Sequence, residues 1–313
     1  MKQLVKADNP TLYFIGVTTL QSSIMRVFPE WAKALGLKDA VIKGIDIPIH
    51  ADPALYREVT AFIRDDEKSL GALVTTHKID LFHACRDMFD YLDPYAAAFG
   101  ELSSISKKEG RLEGYAKDPI SCGLALDTFV PANYWKDHGG EVFLMGAGGS
   151  AISIGAYLMK AEWGENRPSR IIVANRSQPR LDEIRRIFEA LNPGIPFLYC
   201  LTPEEGQNDR LLSDLKPHSL IVNATGLGKD RPGSPLSDSC VFPRESLVWE
   251  LNYRGDLKFM HQAEEQKLDR VLLVEDGWTY FIHGWTQVIA EVFHIDITGD
   301  ALAACDRIAR EMR

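Results

Sequence analysis

The stretch Val142-Phe143-Leu144-Met145-Gly146-Ala147-Gly148-Gly149-Ser150-Ala151 decides the fold. Four apolar residues of strand length run into a turn of small residues, and helical spacing begins directly behind it. Small residues let a backbone approach a pyrophosphate closely, and the following helix N-terminus offers it N–H groups and a partial positive charge. The same region tempts a different assignment, because Val142 to Met159 carries no charge over 18 residues, enough to span a bilayer. The glycines split that run into a buried strand, a tight turn and a helix start, which excludes a membrane helix here. The bland alternative is a strand-to-helix turn that binds nothing.

Working outward, the strand-like runs RIIVAN (170–175), PFLYC (196–200), SLIVNAT (219–225), LVWELNY (247–253) and RVLLVE (270–275) follow, with helical segments between them. Six such strands make a complete doubly wound Rossmann domain. Toward the N-terminus the same alternation holds. TLYFIGVTT (11–19), VIKGIDIPI (41–49) and GALVTT (71–76) read as strands; Ile24, Val27, Phe28, Trp31 and Leu35, then Leu55, Val59, Phe62 and Ile63, then Ile79, Phe82, Cys85 and Phe89 recur at helical spacing. Strand and helix in alternation imply a second α/β sheet, mainly parallel. Residues 101–118 break the rhythm around the turn KKEG and predict a hairpin. The tail from Gly277 puts Trp285, Val288, Ile289, Val292 and Phe293 on one helical face, and a last helix is expected from about Asp300 to Arg313. The expected domains are 1–125 joined by 277–313, and 126–276.

Composition bounds the function. A chain of 313 residues, 45% apolar and 25% charged, is a globular protein of about two domains. Net charge is -9 with no long basic run, so nucleic acid is not an expected partner. The five cysteines, Cys85, Cys122, Cys200, Cys240 and Cys305, are dispersed and lack CxxC spacing. They read as reduced thiols rather than a disulfide framework or zinc site. MKQLVKADNP has no apolar segment behind its lysines, so it does not read as a secretory signal, and with the thiols read as reduced a cytoplasmic protein with no membrane partner is expected. Neither HExxH nor a Cys/His cluster with ligand spacing is present, so no metal is expected.

The second strand of a dinucleotide domain commonly ends in an acidic residue that accepts from the ribose 2′-hydroxyl of NAD. Here RIIVA runs into Asn175-Arg176-Ser177, with Arg180 nearby. Guanidiniums and a hydroxyl suit a 2′-phosphate, because Arg binds phosphate oxygens through charge-assisted pairs. NADP is therefore favoured. Solvated charges at a helix start are the alternative reading of both arginines.

At these residues the chain resembles the shikimate dehydrogenase family, over essentially its whole length. GAGGSA is similar to the family's GAGGAA turn, NRSQPR to its NRTxxRA phosphate clamp and NATGLG (223–228) to its NATxxG segment. The resemblance implies a substrate domain, built from the first part of the chain and the C-terminal helices, joined to a Rossmann NADP domain. It implies NADP contacts from Gly146, Ala147, Gly148, Gly149, Ser150, Ala151, Asn175, Arg176, Ser177, Arg180, Asn223, Ala224, Thr225 and Gly277. It also implies a monomer or homodimer acting on a small cyclic hydroxy acid in aromatic amino acid biosynthesis.

In the substrate half the family's NVTxPxK aligns with Ala72-Leu73-Val74-Thr75-Thr76-His77-Lys78, and its NTD with Ala116-Lys117-Asp118. Lys78 and Asp118, the family's catalytic pair, are retained. Ser22, Ser103 and Tyr253 stand at substrate positions. Ile24 replaces one hydroxyl of a Ser-x-Ser, Ala72 and Val74 replace an asparagine and a threonine, and Gly284 replaces a late glutamine. A pocket that loses hydrogen-bonding partners loses discrimination among hydroxyl-bearing substrates, so the substrate stays open between shikimate, quinate and relatives.

Oxidation of a secondary alcohol needs a base for the hydroxyl proton while the nicotinamide takes hydride. The resemblance gives Lys78 that role with Asp118 as partner; without it, Lys78 reads as a solvated helix-start lysine. His77 titrates near neutral pH as a free side chain and is expected as a pocket wall or surface residue. His283 is a weaker candidate for a substrate carboxylate, and Tyr280 reads as core filling with a wet hydroxyl. Two other functions stay open: a nucleotide-binding sensor on this scaffold, and a dehydrogenase with an unrelated substrate such as a folate.

Overall fold

The computed structural model describes residues 4–191, 194–229 and 231–313. The chain divides into two compact units, Met1–Lys117 with Ile282–Arg313, and Asp118–Phe281.

The first unit opens with β1 (Thr11–Gly16), α1 (Ile24–Ala34), β2 (Val41–Asp46), α2 (Pro53–Asp65), β3 (Ser69–Val74) and α3 (Lys78–Cys85). It continues with β4 (Tyr91–Leu92), α4 (Pro94–Phe99), β5 (Ser104–Lys108) and β6 (Arg111–Tyr115). The sheet order is β2-β1-β3-β5-β6-β4. β1 pairs parallel with β2 and β3, and the predicted hairpin enters as the antiparallel pair β5 and β6. Every residue of β1 is buried, as expected of a strand covered on both faces. Tyr13, Ile15, Tyr56, Val59 and Ile63 form part of its core, each large apolar side chain contributing about 1.5–3 kcal/mol. Helix α2 starts at Asp52, whose carboxylate accepts from Ala54 N at 2.8 Å, and Pro53 supplies the fixed φ of a first helical position.

In the second unit α5 (Asp118–Phe129) and α6 (Tyr134–His138) precede the decisive stretch, which folds as β7 (Val142–Met145) and α7 (Gly149–Leu158). Then come β8 (Ile171–Asn175), α8 (Gln178–Ala190), β9 (Phe197–Leu201), α9 (Gln207–Ser213), β10 (Leu220–Asn223), β11 (Leu247–Glu250), α10 (Lys258–Arg270) and β12 (Leu273–Glu275). Its sheet runs β12-β11-β10-β7-β8-β9 with every pair parallel. This is the doubly wound order of two mononucleotide-binding halves. Phe143, Ile172, Ile221, Val248 and Phe259 lie in one of its cores. The chain ends with α11 (Trp278–Phe293), inside which the unit boundary falls, and α12 (Gly299–Glu311). Among the described residues no helix is long and apolar enough to cross a membrane.

Five predicted strands end early, and for three of them the local reason is visible. β1 stops at Gly16 because Thr19 turns back to give its N–H and hydroxyl to Asp46 Oδ1, at 2.8 and 2.6 Å. β3 stops at Val74 because Thr76 takes φ +64. β11 stops at Glu250 because Asn252 N folds onto the Glu250 carboxylate at 2.8 Å. The two-residue β4 beside β6 carries no sequence signal of strand length.

Candidate functional site

In the second unit strand order reverses between β7 and β10, and a ligand crevice lies outside the carboxyl ends at such a switch point. Gly146 follows β7 there with φ +117, and a Cβ on it would lie 2.5 Å from Ala224 O, behind β10. Only glycine lets the two turns approach so closely. Gly148 is the N-cap of α7, supplies no side-chain cap, and a Cβ on it would meet nothing within 4 Å. The first-turn N–H groups of α7 therefore lack intrahelical acceptors and present a partial positive charge. Ala147 and Ala151 are buried beneath the turn, and Gly149 and Ser150 are half-buried.

At the end of β8, Asn175 Oδ1 accepts from Ser177 N at 2.9 Å and holds the turn into α8. Arg176 and Arg180 are exposed and make no ion pair among the described residues. Ser177 is the N-cap of α8 without a side-chain cap bond, and the first turn holds no acidic residue. Cations at a helix N-terminus oppose its dipole. Stability gives no reason for two of them, whereas a phosphate would satisfy both arginines and the helix end.

At the far side of the switch point Asn223 Oδ1 accepts from Thr225 N and Oγ1, at 3.1 and 2.6 Å, and Thr225 Oγ1 accepts from Leu227 N at 3.1 Å. Asn223 Nδ2 donates to Glu250 Oε2 at 2.7 Å. Glu250 Oε1 accepts from Asn252 N and Nδ2, at 2.8 and 2.7 Å, and Asn252 Nδ2 also reaches Leu227 O at 2.9 Å. Glu250 and Asn223 are each 0% exposed. Burial pushes the Glu250 carboxyl up to about 7, against the lowering effect of its amide donors. Sequence reasoning names Asn223, Ala224 and Thr225 and misses Glu250 and Asn252. Their signal was two polar residues, two apart, closing the apolar strand LVW beside Asn223 in the sheet.

Tyr253 lies beyond them, half-buried, its ring 4.7 Å from Phe281 and 5.4 Å from Trp278. Lys229 Nζ sits 5.9 Å from its ring centroid. Gly277 N donates to Asn252 O at 3.0 Å, and a Cβ on Gly277 would stand 2.0 Å from Leu251 O. Tyr280 packs edge-on against Trp249 at 5.7 Å.

In the first unit Lys78 is the opening residue of α3, half-buried, behind the left-handed Thr76. A β-branched residue in that conformation stores strain. His77 is 1% exposed, and its Nδ1 lies 3.0 Å from Tyr56 Oη. Of the expected wall or surface position the surface alternative gives way, because this is a buried histidine whose titration burial pushes down. Ser22 closes a short 3-10 turn and is half-buried. Ser103 is buried, and its hydroxyl accepts from Lys117 N at 2.7 Å. Lys117 itself pairs with Glu291 of α11 and lies over the Tyr115 ring at 4.5 Å. Ile24, Ala72 and Val74 are core residues, and His283 is buried on α11. Asp118 opens α5 and is the first residue of the second unit.

No family model matches the chain. Over 178 residues it is 28% identical to the NADP-dependent shikimate dehydrogenase of Lactococcus lactis, covering 56% of this chain and 59% of that protein. With the Geobacter enzyme of the same name it shares 30% over 178 residues, 56% of each chain. The chain thus matches about three fifths of the length of such relatives. Among solved structures, Thermus thermophilus shikimate 5-dehydrogenase, determined with NADP(H) and shikimate, superposes with a TM-score of 0.70 at 21% identity, covering 97% of this chain and 99% of that one. The ligand-free 5-ketofructose reductase of a Gluconobacter strain gives 0.68 at 16% identity, covering 97% and 99%. The shared fold therefore identifies the scaffold and leaves the substrate to the site residues.

Proposed function

We propose that this chain, a relative of the shikimate dehydrogenases in sequence and fold, is an NADP-dependent dehydrogenase that interconverts a secondary alcohol and a ketone of shikimate or a related cyclic hydroxy acid. The observation that carries the reading is the carboxyl edge of the second unit's sheet. There an obligatory glycine, an uncapped helix start and two uncommitted arginines fit a pyrophosphate and a 2′-phosphate.

When bound, the nicotinamide supplies hydride transfer. The first-turn amides of α7 bind the pyrophosphate, and Arg176, Ser177 and Arg180 select the 2′-phosphate over a hydroxyl. Asn223, Ala224, Thr225 and Gly277 wall the opposite half. Lys78 takes the alcohol proton and Asp118 is the second catalytic group, both carried over from the sequence match. Ser22, Ser103 and Tyr253 are the substrate-contact set. Five free cysteines, four of them buried, accord with a reducing, cytoplasmic setting. The proposed assembly is a monomer or homodimer with no nucleic acid or membrane partner.

The test is turnover followed by absorbance of the reduced nicotinamide, with NADP and NAD separately against shikimate and quinate, and with NADPH and NADH separately against 5-ketofructose, with Lys78→Ala as control. NADP-dependent turnover that falls by about 10²–10⁴-fold in the variant is expected. Folded, NADPH-binding protein that is silent with every hydroxy acid would overturn it.

A further inference from the structure

Doubly wound sheets divide a dinucleotide between two halves. The adenosine half lies over β7 and β8, so the carboxyl ends of β10 and β11 face the nicotinamide half. That second edge is made of turns, residues 224–228 and 251–253, with few backbone ladder bonds of their own, and side chains must hold them in register. The Glu250 side chain hydrogen-bonds both Asn223 and Asn252. Asn223 passes the constraint on to Thr225 and Leu227, and Asn252 closes the circuit at Leu227 O. Asn252 also takes the amide of Gly277 on its carbonyl.

We propose that Glu250 is the positioning residue of the nicotinamide-side wall, holding the 223–228 turn and the Asn252–Tyr253 segment through three N–H bonds to one buried carboxylate. The inference rests on the NADP reading above. A carboxylate is needed because all three partners are donors: two amide side chains and a backbone N–H. A glutamine of the same shape must point its own N–H₂ at one of them, leaving a buried donor without an acceptor. Stability alone does not call for such an arrangement, since a buried carboxylate is costly and no cation stands among its hydrogen-bond partners.

The experiment, run at a pH above the value of about 7 so that the Glu250 carboxyl is ionised, compares Glu250→Gln with the unaltered chain in binding NADPH and adenosine 2′,5′-bisphosphate, a probe without the nicotinamide half. Amide hydrogen exchange of both proteins without ligand accompanies it. Glu250→Gln is expected to weaken NADPH about tenfold while leaving the bisphosphate unchanged, and to speed exchange in 223–228 and 250–253 but not in β7 and β8. Unchanged NADPH affinity overturns the proposal. So does equal weakening of both probes, which would mark a general loss of structure, and so does unaltered exchange in the two turns. Failure of the unaltered chain to bind either probe would instead remove the NADP reading, and this inference with it.

Discussion

The two sheets use their carboxyl ends in different ways. In the all-parallel sheet of the second unit, the turns after β7 and β8 offer helix amides and guanidiniums that no side chain among the described residues consumes. In the mixed sheet of the first unit, the comparable groups are spoken for: Ser103 serves Lys117 N, Thr19 serves Asp46, Lys117 serves Glu291, and His77 serves Tyr56. One edge is built chiefly of backbone and is kept open, while the other is built of side chains that also hold the unit together. A backbone-built site tolerates sequence drift because only glycine and a helix start are required of it. A side-chain site changes its specificity with each replacement.

The largest effect expected separates two glycines of one turn. Gly146→Ala places a Cβ 2.5 Å from Ala224 O at φ +117, and should lose NADPH binding entirely with several kcal/mol of stability. Gly148→Ala points into open space at φ -96, and should keep the fold to within about 0.5 kcal/mol. Thermal unfolding with an NADPH titration reads both. Equal effects from the two substitutions would show that the close approach of the β7 and β10 turns does not set the geometry.

Replacing Arg176 and Arg180 together by alanine comes next. Neither has an intramolecular partner to lose among the described residues, so stability should hold within about 0.5 kcal/mol. Two charge-assisted bonds of roughly 1.5 kcal/mol or more each predict that preference for NADPH over NADH falls by about a hundredfold or more. An unchanged ratio would reduce both arginines to the solvated charges that are their bland reading.

The same contrast explains what sequence made legible. Val142–Ala151 signals its strand, turn and helix because apolar run, glycine and period coincide within ten residues, and the six parallel strands follow from the same alternation. Lys78 is singled out only through the family resemblance, because a lysine opening a helix reads by itself as a solvated charge. Glu250 escapes notice because a lone carboxylate in LVWELNY reads as a strand end, and its partners lie 27 residues away and two residues on. Of the two readings of His77, pocket wall or surface, the surface one fails because Tyr56, 21 residues earlier, draws it into the core. Hydrogen bonds across such separations leave no periodicity to read.

Ser103→Ala tests the side-chain edge with a smaller effect. Removing its hydroxyl leaves Lys117 N, part-buried, without that acceptor, a cost of about 1–2 kcal/mol and a few degrees in Tm. A drop in Tm with substrate KM unchanged would make Ser103 a support for the segment leading to Asp118. A raised KM with Tm unchanged would restore it to the substrate-contact set and blur the distinction between the two edges.

The finest comparison sets one buried titratable group of each unit against the other, because they oppose each other in sign. Burial lowers His77 from 6.5, so its folded form resists protonation. Its contribution is complete above the unfolded value and is lost as pH falls below it. Burial raises Glu250 from 4.5 to about 7. Its contribution is complete below the unfolded value and is lost as pH rises through that window, after which the carboxylate stays buried at full cost. Tm measured from about pH 5 to about pH 8 on the parent, His77→Gln and Glu250→Gln isolates each slope by difference. Relative to the parent, the histidine variant should lose less stability on acidification and the glutamate variant less on alkalinisation, by a few degrees at most. Amide exchange should assign the first change to the helix start at Lys78 and the second to the turns at Asn223 and Asn252. Parallel slopes in parent and Glu250→Gln would mean that the carboxylate is already ionised across the whole range, stabilised by its three N–H donors more than burial disfavours it.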